Sequence, residues 1–231
     1  CLASQYRKPL KITKVTPWLI SAPAPYLDTA DDNKEPRQRE YVFIEVSTDE
    51  GITGWGEITG TLPVANRSVC AALRHVSDLI EGDDPRLIEM IWNKIFRSFT
   101  YMGSRGATTN IISAIDIALW DIRGKVLGLP ISELFGGPVR DGVPIYCHPQ
   151  NGSSIEEMVQ HVKAIVETGQ KALKLDPFQP HHEEESNGYL TGKLSAESEN
   201  LGADRIAAIR EAVGPDIEVM IDCHGRFDAP T

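Results

Sequence analysis

The chain has 231 residues, of which 41% are apolar and 24% are charged, and its formal net charge at pH 7 is −10. This composition is ordinary for a globular protein, and the negative charge argues against nucleic acid as a partner, because a phosphate backbone binds a basic surface. No stretch approaches the roughly 18 apolar residues of a transmembrane helix, and the N-terminal residues are polar. The four cysteines lack the spacing of a metal or redox site, so we expect a reduced, cytoplasmic protein.

Three predicted strands open the chain. Residues 10–20 and 41–48 are rich in β-branched side chains, and residues 52–58 follow a short turn that contains Gly51, as in an antiparallel hairpin. A loop of residues 22–39, rich in proline and charge, separates the first two strands. A loop of this length inside a compact domain is often functional.

The hydrophobic period then changes to that of helices. Three helices are predicted, at residues 64–80, 85–99 and 108–126, and Gly128 ends the third. Strands followed by a run of helices indicate a separate α+β domain, which we place at residues 1–128.

Short strands alternate with helices in the second half of the chain. The predicted strands are residues 143–147, 171–175 and 217–222, and the predicted helices are residues 154–168 and 204–213. This alternation indicates parallel pairing. Residues 181–200 form a polar insert, which is either an active-site loop or a disordered excursion. Three open parallel strands cannot enclose a core, so we expect the chain to be the front part of a longer protein.

Three motifs resemble one family. Residues 113–125, SAIDIALWDIRGK, resemble a signature of the mandelate racemase / muconate lactonizing enzyme branch of the enolase superfamily, and residues 128–130 and 134–137 continue it. Residues 51–57, GITGWGE, resemble the N-terminal capping domain of that family. The order of elements agrees over residues 10–228.

The resemblance implies an α+β capping domain over the mouth of a TIM-type (β/α)₇β barrel. Residues 129–231 would then be the N-terminal portion of the barrel, with about its first three βα units. It also implies an enzyme that removes a proton α to a carboxylate and holds the enediolate on Mg²⁺. Three carboxylates at the ends of the third, fourth and fifth strands would bind the metal, and only the first of them, Asp222, lies in this sequence. Without the resemblance, an aspartate after a strand is more often a turn residue or a helix cap.

His224 lies two residues after Asp222, so a strand period of 2 places both side chains on one face. The carboxyl end of a barrel strand faces the active site. A histidine at this position resembles the acid-sugar dehydratases of the galactonate and mannonate type, in which it is the general acid for the departing β-hydroxyl. Histidine suits this role because it titrates near neutral pH. The alternative is a histidine that only hydrogen-bonds substrate or backbone.

Lys174 and Asp176 end the second strand with the same spacing, and both are catalytic candidates beside His224. This place in the family's racemases and cycloisomerases resembles Lys-x-Lys, in which the second lysine is the base. Asp176 stands in that second position, which weakens the racemase interpretation. Lys174 is expected to hold the substrate carboxylate or to lower the pKa of a neighbour, or else to be a solvated charge. Asp176 is expected either to pair with Lys174 or to contact substrate.

Three further residues are candidates for substrate binding. His148 ends the first barrel strand, two residues after Tyr146, although a packed loop residue is the simpler interpretation. Arg37 and Arg39 lie in the long loop of the first domain and could meet an anionic substrate, although surface arginines usually meet only water.

The sequence therefore predicts a Mg²⁺-dependent hydro-lyase that converts a sugar acid to a 2-keto-3-deoxy acid. The expected partners are the small-molecule substrate and further copies in a homo-oligomer. The catalytic base and two metal ligands would lie beyond Thr231, so we expect the 231-residue chain alone to be inactive. The alternatives are a racemase, epimerase or cycloisomerase of the same superfamily, or a non-catalytic fragment.

Overall fold

The computed structural model describes residues 9–23, 38–58, 63–103, 105–150, 152, 154–178 and 192–231. The chain divides into two compact units, Cys1–Val139 and Arg140–Thr231. The domain boundary expected after residue 128 stays a prediction. None of the helices in the described part of the chain combines the length and apolar character needed to span a bilayer.

The first unit contains an antiparallel sheet of three strands. They are β1 (Ile12–Pro23), β2 (Gln38–Thr48) and β3 (Thr53–Ile58), in the order β1-β2-β3. The predicted hairpin is confirmed: Gly51 lies in the turn at a φ of 75°, which glycine adopts without strain. The predicted loop 22–39 is too long at both ends, because its first two and last two residues belong to strands. Its residues 24–37 lie outside the described part of the chain.

Helices cover one face of this sheet. They are α1 (Pro63–Ile80), α2 (Ile88–Ser98), α3 (Ala107–Leu127) and the short α4 (Ile131–Leu134), which was not predicted. Helix α2 begins later than Pro85 because residues 84–87 form a turn, in which the Leu87 amide donates to the Asp84 carbonyl at 3.0 Å. Alternate residues of β2 and one face of each longer helix form the core, which includes Val42, Ile44, Val46, Leu73, Ile80, Ile91, Ile95, Ile115 and Leu119.

Two glycines let β3 lie directly against α3. A Cβ atom on Gly54 would be 2.0 Å from the carbonyl oxygen of Ala118, and one on Gly56 would be 2.0 Å from that of Ala114. Only glycine permits so close an approach of two backbones. The GWG of the third strand and the alanines of the 113–125 signature are therefore two sides of one packing contact.

The second unit contains two parallel strands, β4 (Ala172–Leu175) and β5 (Glu218–Ile221). The strand predicted at residues 143–147 is wrong in extent, since only Cys147 pairs, through a single parallel bridge to Leu173. The unit also has helices α5 (Ile155–Glu167) and α6 (Ala196–Val213). Its core consists of Met158, Val162, Leu173, Leu175, Ile209 and Ile217.

Helix α6 begins well before the predicted residue 204. The hydroxyl of Ser195 accepts a hydrogen bond from the Ser198 amide at 3.1 Å, which caps the helix. The last part of the predicted polar insert, residues 196–200, is thus the first turn of α6 rather than loop. Residues 181–191 of that insert lie outside the described residues.

Candidate active site

The carboxyl ends of β4 and β5 bring four of the predicted site residues to one edge of the sheet. Lys174 lies within β4 and Asp176 follows that strand, whereas Asp222 and His224 follow β5. The Asp222 amide donates to the Leu175 carbonyl at 3.0 Å, which continues the parallel ladder by one bond. Parallel strands end at the same edge, so their terminal side chains can act together.

Lys174 and Asp222 form an ion pair, with 2.9 Å between Nζ and Oδ2. The hydrogen bond to Asp222, followed by one to Tyr146, raises the pKa of Lys174. The amide of His224, which donates to Asp222 Oδ1 at 3.0 Å, lowers the pKa of Asp222, and Lys174 adds to this effect. Both groups are therefore charged at neutral pH. The predicted pairing of Lys174 with Asp176 is wrong, because the ion pair of Lys174 is made with Asp222.

Asp176 is almost completely buried, with 2% of its side chain exposed. Its Oδ1 accepts the Phe178 amide at 3.0 Å. Its Oδ2 accepts a short hydrogen bond from Arg226 Nη2 and lies 3.2 Å from Nδ1 of His224. Arg226 was missed from the sequence, although it continues the spacing of two that relates Asp222 to His224. Its burial beside a carboxylate could not be inferred from that spacing.

His224 occupies a tight turn rather than an extension of β5. Its φ is 54°, and it is the one described residue other than glycine that has a positive φ. The Asp222 carboxylate holds its amide, and the Arg226 amide donates to the Cys223 carbonyl at 3.1 Å. The turn leaves half of the His224 side chain exposed. The strand spacing expected to carry His224 is wrong, because the strand ends at Ile221 and a turn positions His224.

Of the three predicted substrate-binding residues, one lies in the same unit as this cluster, one lies in the first unit and one lies outside the described chain. The exposed His148 contacts the ring of Tyr146, with 5.4 Å between ring centres, and the Lys174 ammonium lies 5.0 Å from that tyrosine ring. Arg37 lies outside the described residues. Arg39 is an exposed residue of β2 in the first unit, with its guanidinium 5.4 Å from the centre of the Tyr41 ring.

Asp222 is the potential magnesium ligand at this edge of the sheet. Asp222 is a partly exposed carboxylate at the strand edge, and Mg²⁺ prefers such oxygen donors, commonly using one or two carboxylates with water. Within the described ranges, no group of three or more histidine, cysteine, aspartate or glutamate side chains could hold a metal ion. Asp222 therefore fits one position of a site that needs further ligands.

Both halves of the chain match known families. Residues 32–136 match the family described as mandelate racemase / muconate lactonizing enzyme, N-terminal domain. Residues 157–231 match the family described as enolase C-terminal domain-like. The chain thus belongs to the mandelate racemase / muconate lactonizing enzyme family of the enolase superfamily, with the N-terminal domain of that fold followed by part of its barrel domain. The predicted number of barrel units, about three, stays a prediction.

Several curated relatives are D-galactonate dehydratases. The protein from Pectobacterium atrosepticum is 35% identical over 224 residues, which cover 96% of this chain and 50% of the relative. The protein from Xanthomonas euvesicatoria pv. vesicatoria is 38% identical over 195 residues, which cover 82% of this chain and 46% of the relative. The chain spans about half the length of the curated relatives it matches.

Solved structures agree in fold. A provisionally assigned dehydratase from Zymomonas mobilis ZM4 has a TM-score of 0.81 at 31% identity, over 95% of this chain and 56% of that one. A provisionally assigned dehydratase from Mesorhizobium loti has a TM-score of 0.77 at 33% identity, over 92% and 52%. A provisionally assigned mandelate racemase from Bordetella bronchiseptica RB50 has a TM-score of 0.73 at 27% identity, over 93% and 51%.

Proposed function

We propose that the chain is part of a Mg²⁺-dependent dehydratase that removes water from a sugar acid of the galactonate type. The product would be a 2-keto-3-deoxy acid. The observation that carries the proposal is the half-exposed imidazole of His224, which is hydrogen-bonded to the buried Asp176, while the amide of the same residue donates to the Asp222 carboxylate. The similarity to D-galactonate dehydratases supports the substrate class.

Each residue of the edge has a distinct part in the proposed reaction. Mg²⁺ bound at Asp222 would supply the positive charge that favours a carboxylate substrate losing its α-proton. His224 gives a proton to the β-hydroxyl as its carbon–oxygen bond breaks, because hydroxide is a poor leaving group and water a good one. Lys174 supplies a fixed ammonium beside the same edge. The residue that removes the α-proton is not among those assigned.

The remaining assignments are part of the same proposal. His148, Arg37 and Arg39 are proposed to contact the substrate, and the protein is proposed to act as a homo-oligomer in the cytoplasm. His148 and Arg39 are exposed, and His148 contacts the Tyr146 ring that lies beside Lys174.

A racemase is the second candidate, and the likeness to the Bordetella bronchiseptica protein favours it. A racemase of this family would use a lysine base at the end of the second strand. Lys174 is nearby, but the second position of the pattern is Asp176, which is buried and engaged at both oxygens. That residue cannot reach a substrate in this arrangement, which favours the dehydratase.

The test is His224→Gln in the intact gene product, with Mg²⁺ and D-galactonate. General acid catalysis typically contributes about 10²- to 10⁴-fold, and we expect dehydration to fall near the upper end of that range. Exchange of the substrate α-hydrogen with D₂O, followed by proton NMR, should persist because another residue removes that proton. His75→Gln, an exposed histidine of α1, is the matched control and should leave both rates unchanged.

The racemase predicts a different pattern in the same experiment. His224→Gln would slow exchange and turnover together, and Lys174→Met would abolish both. Dehydration by His224→Gln at close to the unsubstituted rate would refute the general-acid role. An intact gene product that dehydrates no sugar acid would refute the proposed function itself.

A further inference from the structure

We propose that Asp176 and Arg226 are positioning residues that fix the tautomer and the orientation of His224. Together they direct Nδ1 inward and leave Nε2 as the nitrogen that faces substrate. This inference rests on the proposed function, since it assigns the atom through which His224 would act. Arg226 takes no direct part in the proposed reaction, and Asp176, which the sequence suggested as a catalytic residue, is proposed instead to act through His224.

The hydrogen bonds of Asp176 specify where the imidazole proton lies. An arginine side chain has donors and no acceptor, so Oδ2 of Asp176 accepts from Arg226 Nη2. The same oxygen faces Nδ1 of His224 at 3.2 Å, and Oδ1 already accepts the Phe178 amide at 3.0 Å. Oδ2 therefore acts as a hydrogen-bond acceptor toward both partners. The proton of its hydrogen bond with His224 must then lie on Nδ1.

Arg226 holds the Asp176 carboxylate in place. Its side chain is 4% exposed. Its Nε donates to the Cys223 carbonyl and its Nη1 donates to the Phe178 carbonyl, both at 3.2 Å. One guanidinium thus ties together the turn after β5, the segment after β4 and the carboxylate. Either charge left alone in this buried place would be costly, so the two residues act as one unit.

The backbone conformation of His224 is constrained as well as its ring. A φ of 54° is uncommon for a residue with a side chain. Such conformations persist where the surroundings over-determine them, and they concentrate at functional sites. Here the Asp222 carboxylate holds the His224 amide at 3.0 Å, and Asp176 holds its ring. Backbone and ring are therefore fixed by separate carboxylates.

In the inferred step, His224 protonates the leaving hydroxyl group through Nε2. The His224 imidazolium passes its Nε2 proton to the β-hydroxyl oxygen of the substrate while the carbon–oxygen bond breaks and its electron pair leaves with the oxygen. The electron pair freed by removal of the α-proton forms the double bond between the α- and β-carbons. Water is released, and the imidazole that remains is neutral with its proton on Nδ1, facing Asp176. In the opposite tautomer the ring would keep its proton toward substrate and lack the bond to Asp176.

The first experiment reads the tautomer directly. The intact gene product is labelled with ¹⁵N-histidine, and the His224 signals are assigned by their loss in His224→Gln. At a pH where the ring is neutral, we expect the shifts of an Nδ1-protonated ring, and Asp176→Asn should move them toward the Nε2-protonated form. Asp216→Asn, an exposed aspartate of the same unit, should leave them unchanged. A neutral His224 protonated on Nε2 in the unsubstituted protein would overturn the inference, even if the variant failed to fold.

The second experiment separates positioning from a structural role. Asp176→Asn should lower kcat for dehydration by about 10²-fold or more, while KM and α-hydrogen exchange change little. Arg226→Lys, which keeps the charge but loses the planar fork, should lower kcat by a smaller factor. Equal loss of exchange and dehydration, with the tautomer unchanged, would mean that the pair only stabilises the fold. Failure of the proposed function would instead appear as absent dehydration with the tautomer result intact.

Discussion

At the scale of single residues, the Asp222 carboxylate both pairs with Lys174 and is the proposed ligand of Mg²⁺, and these two interactions compete. Its Oδ2 accepts the Lys174 ammonium at 2.9 Å and its Oδ1 accepts the His224 amide at 3.0 Å. A magnesium ion bound at this carboxylate would be a second cation on the oxygens that Lys174 and the His224 amide already contact. Binding of the metal and the position of Lys174 are therefore coupled through one side chain.

We expect Asp222→Asn to weaken Mg²⁺ binding and abolish dehydration in the intact gene product. An amide keeps the shape of the side chain but removes the negative charge that a hard cation requires. Loss of even an outer partner of a metal site costs on the order of 10- to 100-fold in affinity, so loss of a ligand should cost at least as much. Isothermal calorimetry with Mg²⁺ measures the change.

The control for Asp222→Asn is Glu218→Gln, which removes an exposed carboxylate at the opposite end of β5. It should leave the affinity for Mg²⁺ unaltered. If Asp222→Asn also bound Mg²⁺ with unaltered affinity, the assignment of Asp222 as a ligand would be wrong.

Sequence spacing predicted which residues share the edge but not how they pair. Asp222, His224 and Lys174 could be placed together because parallel strands end at one edge. The partners of Asp176 could not be inferred, because they depend on the turn at residues 223–226. A positive φ at a histidine has no signal in the sequence beyond the Gly225 that follows it.

At the scale of elements, the contact between β3 and α3 explains why the two family motifs occur together. Gly54 and Gly56 lie against the carbonyls of Ala118 and Ala114. The Asp121 carboxylate accepts the Trp55 amide at 2.9 Å and pairs with Lys125 at 2.6 Å. The strand and the helix are thus joined by close backbone packing and by the hydrogen bond from the Trp55 amide to the Asp121 side chain.

We expect Gly56→Ala to destabilise the first unit by about 3 kcal/mol, the upper part of the range for overpacking. The added methyl group would meet a backbone oxygen, which cannot rotate away as a side chain can. Urea unfolding of the 231-residue chain measures this, because its four tryptophans, at positions 18, 55, 92 and 120, all lie in the first unit. Gly142→Ala, where a Cβ meets nothing within 4 Å, should change little. A midpoint equal to that of the unsubstituted chain would contradict the packing argument.

The elements that sequence patterns misplaced are those with the weakest apolar period. Helix α6 opens with Ala196 followed by four polar residues, 197–200, so its start depends on the Ser195 cap rather than on a hydrophobic face. The predicted strand at residues 143–147 has the right composition, yet only Cys147 pairs, because most of the segment is exposed. Composition specifies a preference for β structure, whereas pairing requires a neighbour.

At the scale of the whole molecule, the two units differ in the size of their buried cores. The first has a core built from all three strands and three helices. Among the described residues of the second, six form the core, and Val143, Ile145 and Ile221 are respectively 75%, 64% and 54% exposed. Parallel sheets are normally covered on both faces. We therefore expect the sheet of the second unit to open more easily than that of the first.

Hydrogen exchange on the 231-residue chain should show this difference. Amides of β2, central in the first sheet, should exchange close to the rate of global unfolding of that unit, and those of β4 and β5 should exchange at least about 100-fold faster. Mass spectrometry of peptides from each strand measures both exchange rates, and dehydratase turnover by the same sample should be absent.

In the intact gene product, further barrel strands are expected to pair with β5 and cover Ile221, so protection of β4 and β5 should rise while that of β2 stays constant. Equal protection of β5 in the two proteins would contradict the expectation that this edge is covered, and full protection of β5 in the 231-residue chain would contradict the weakness inferred from its exposed side chains.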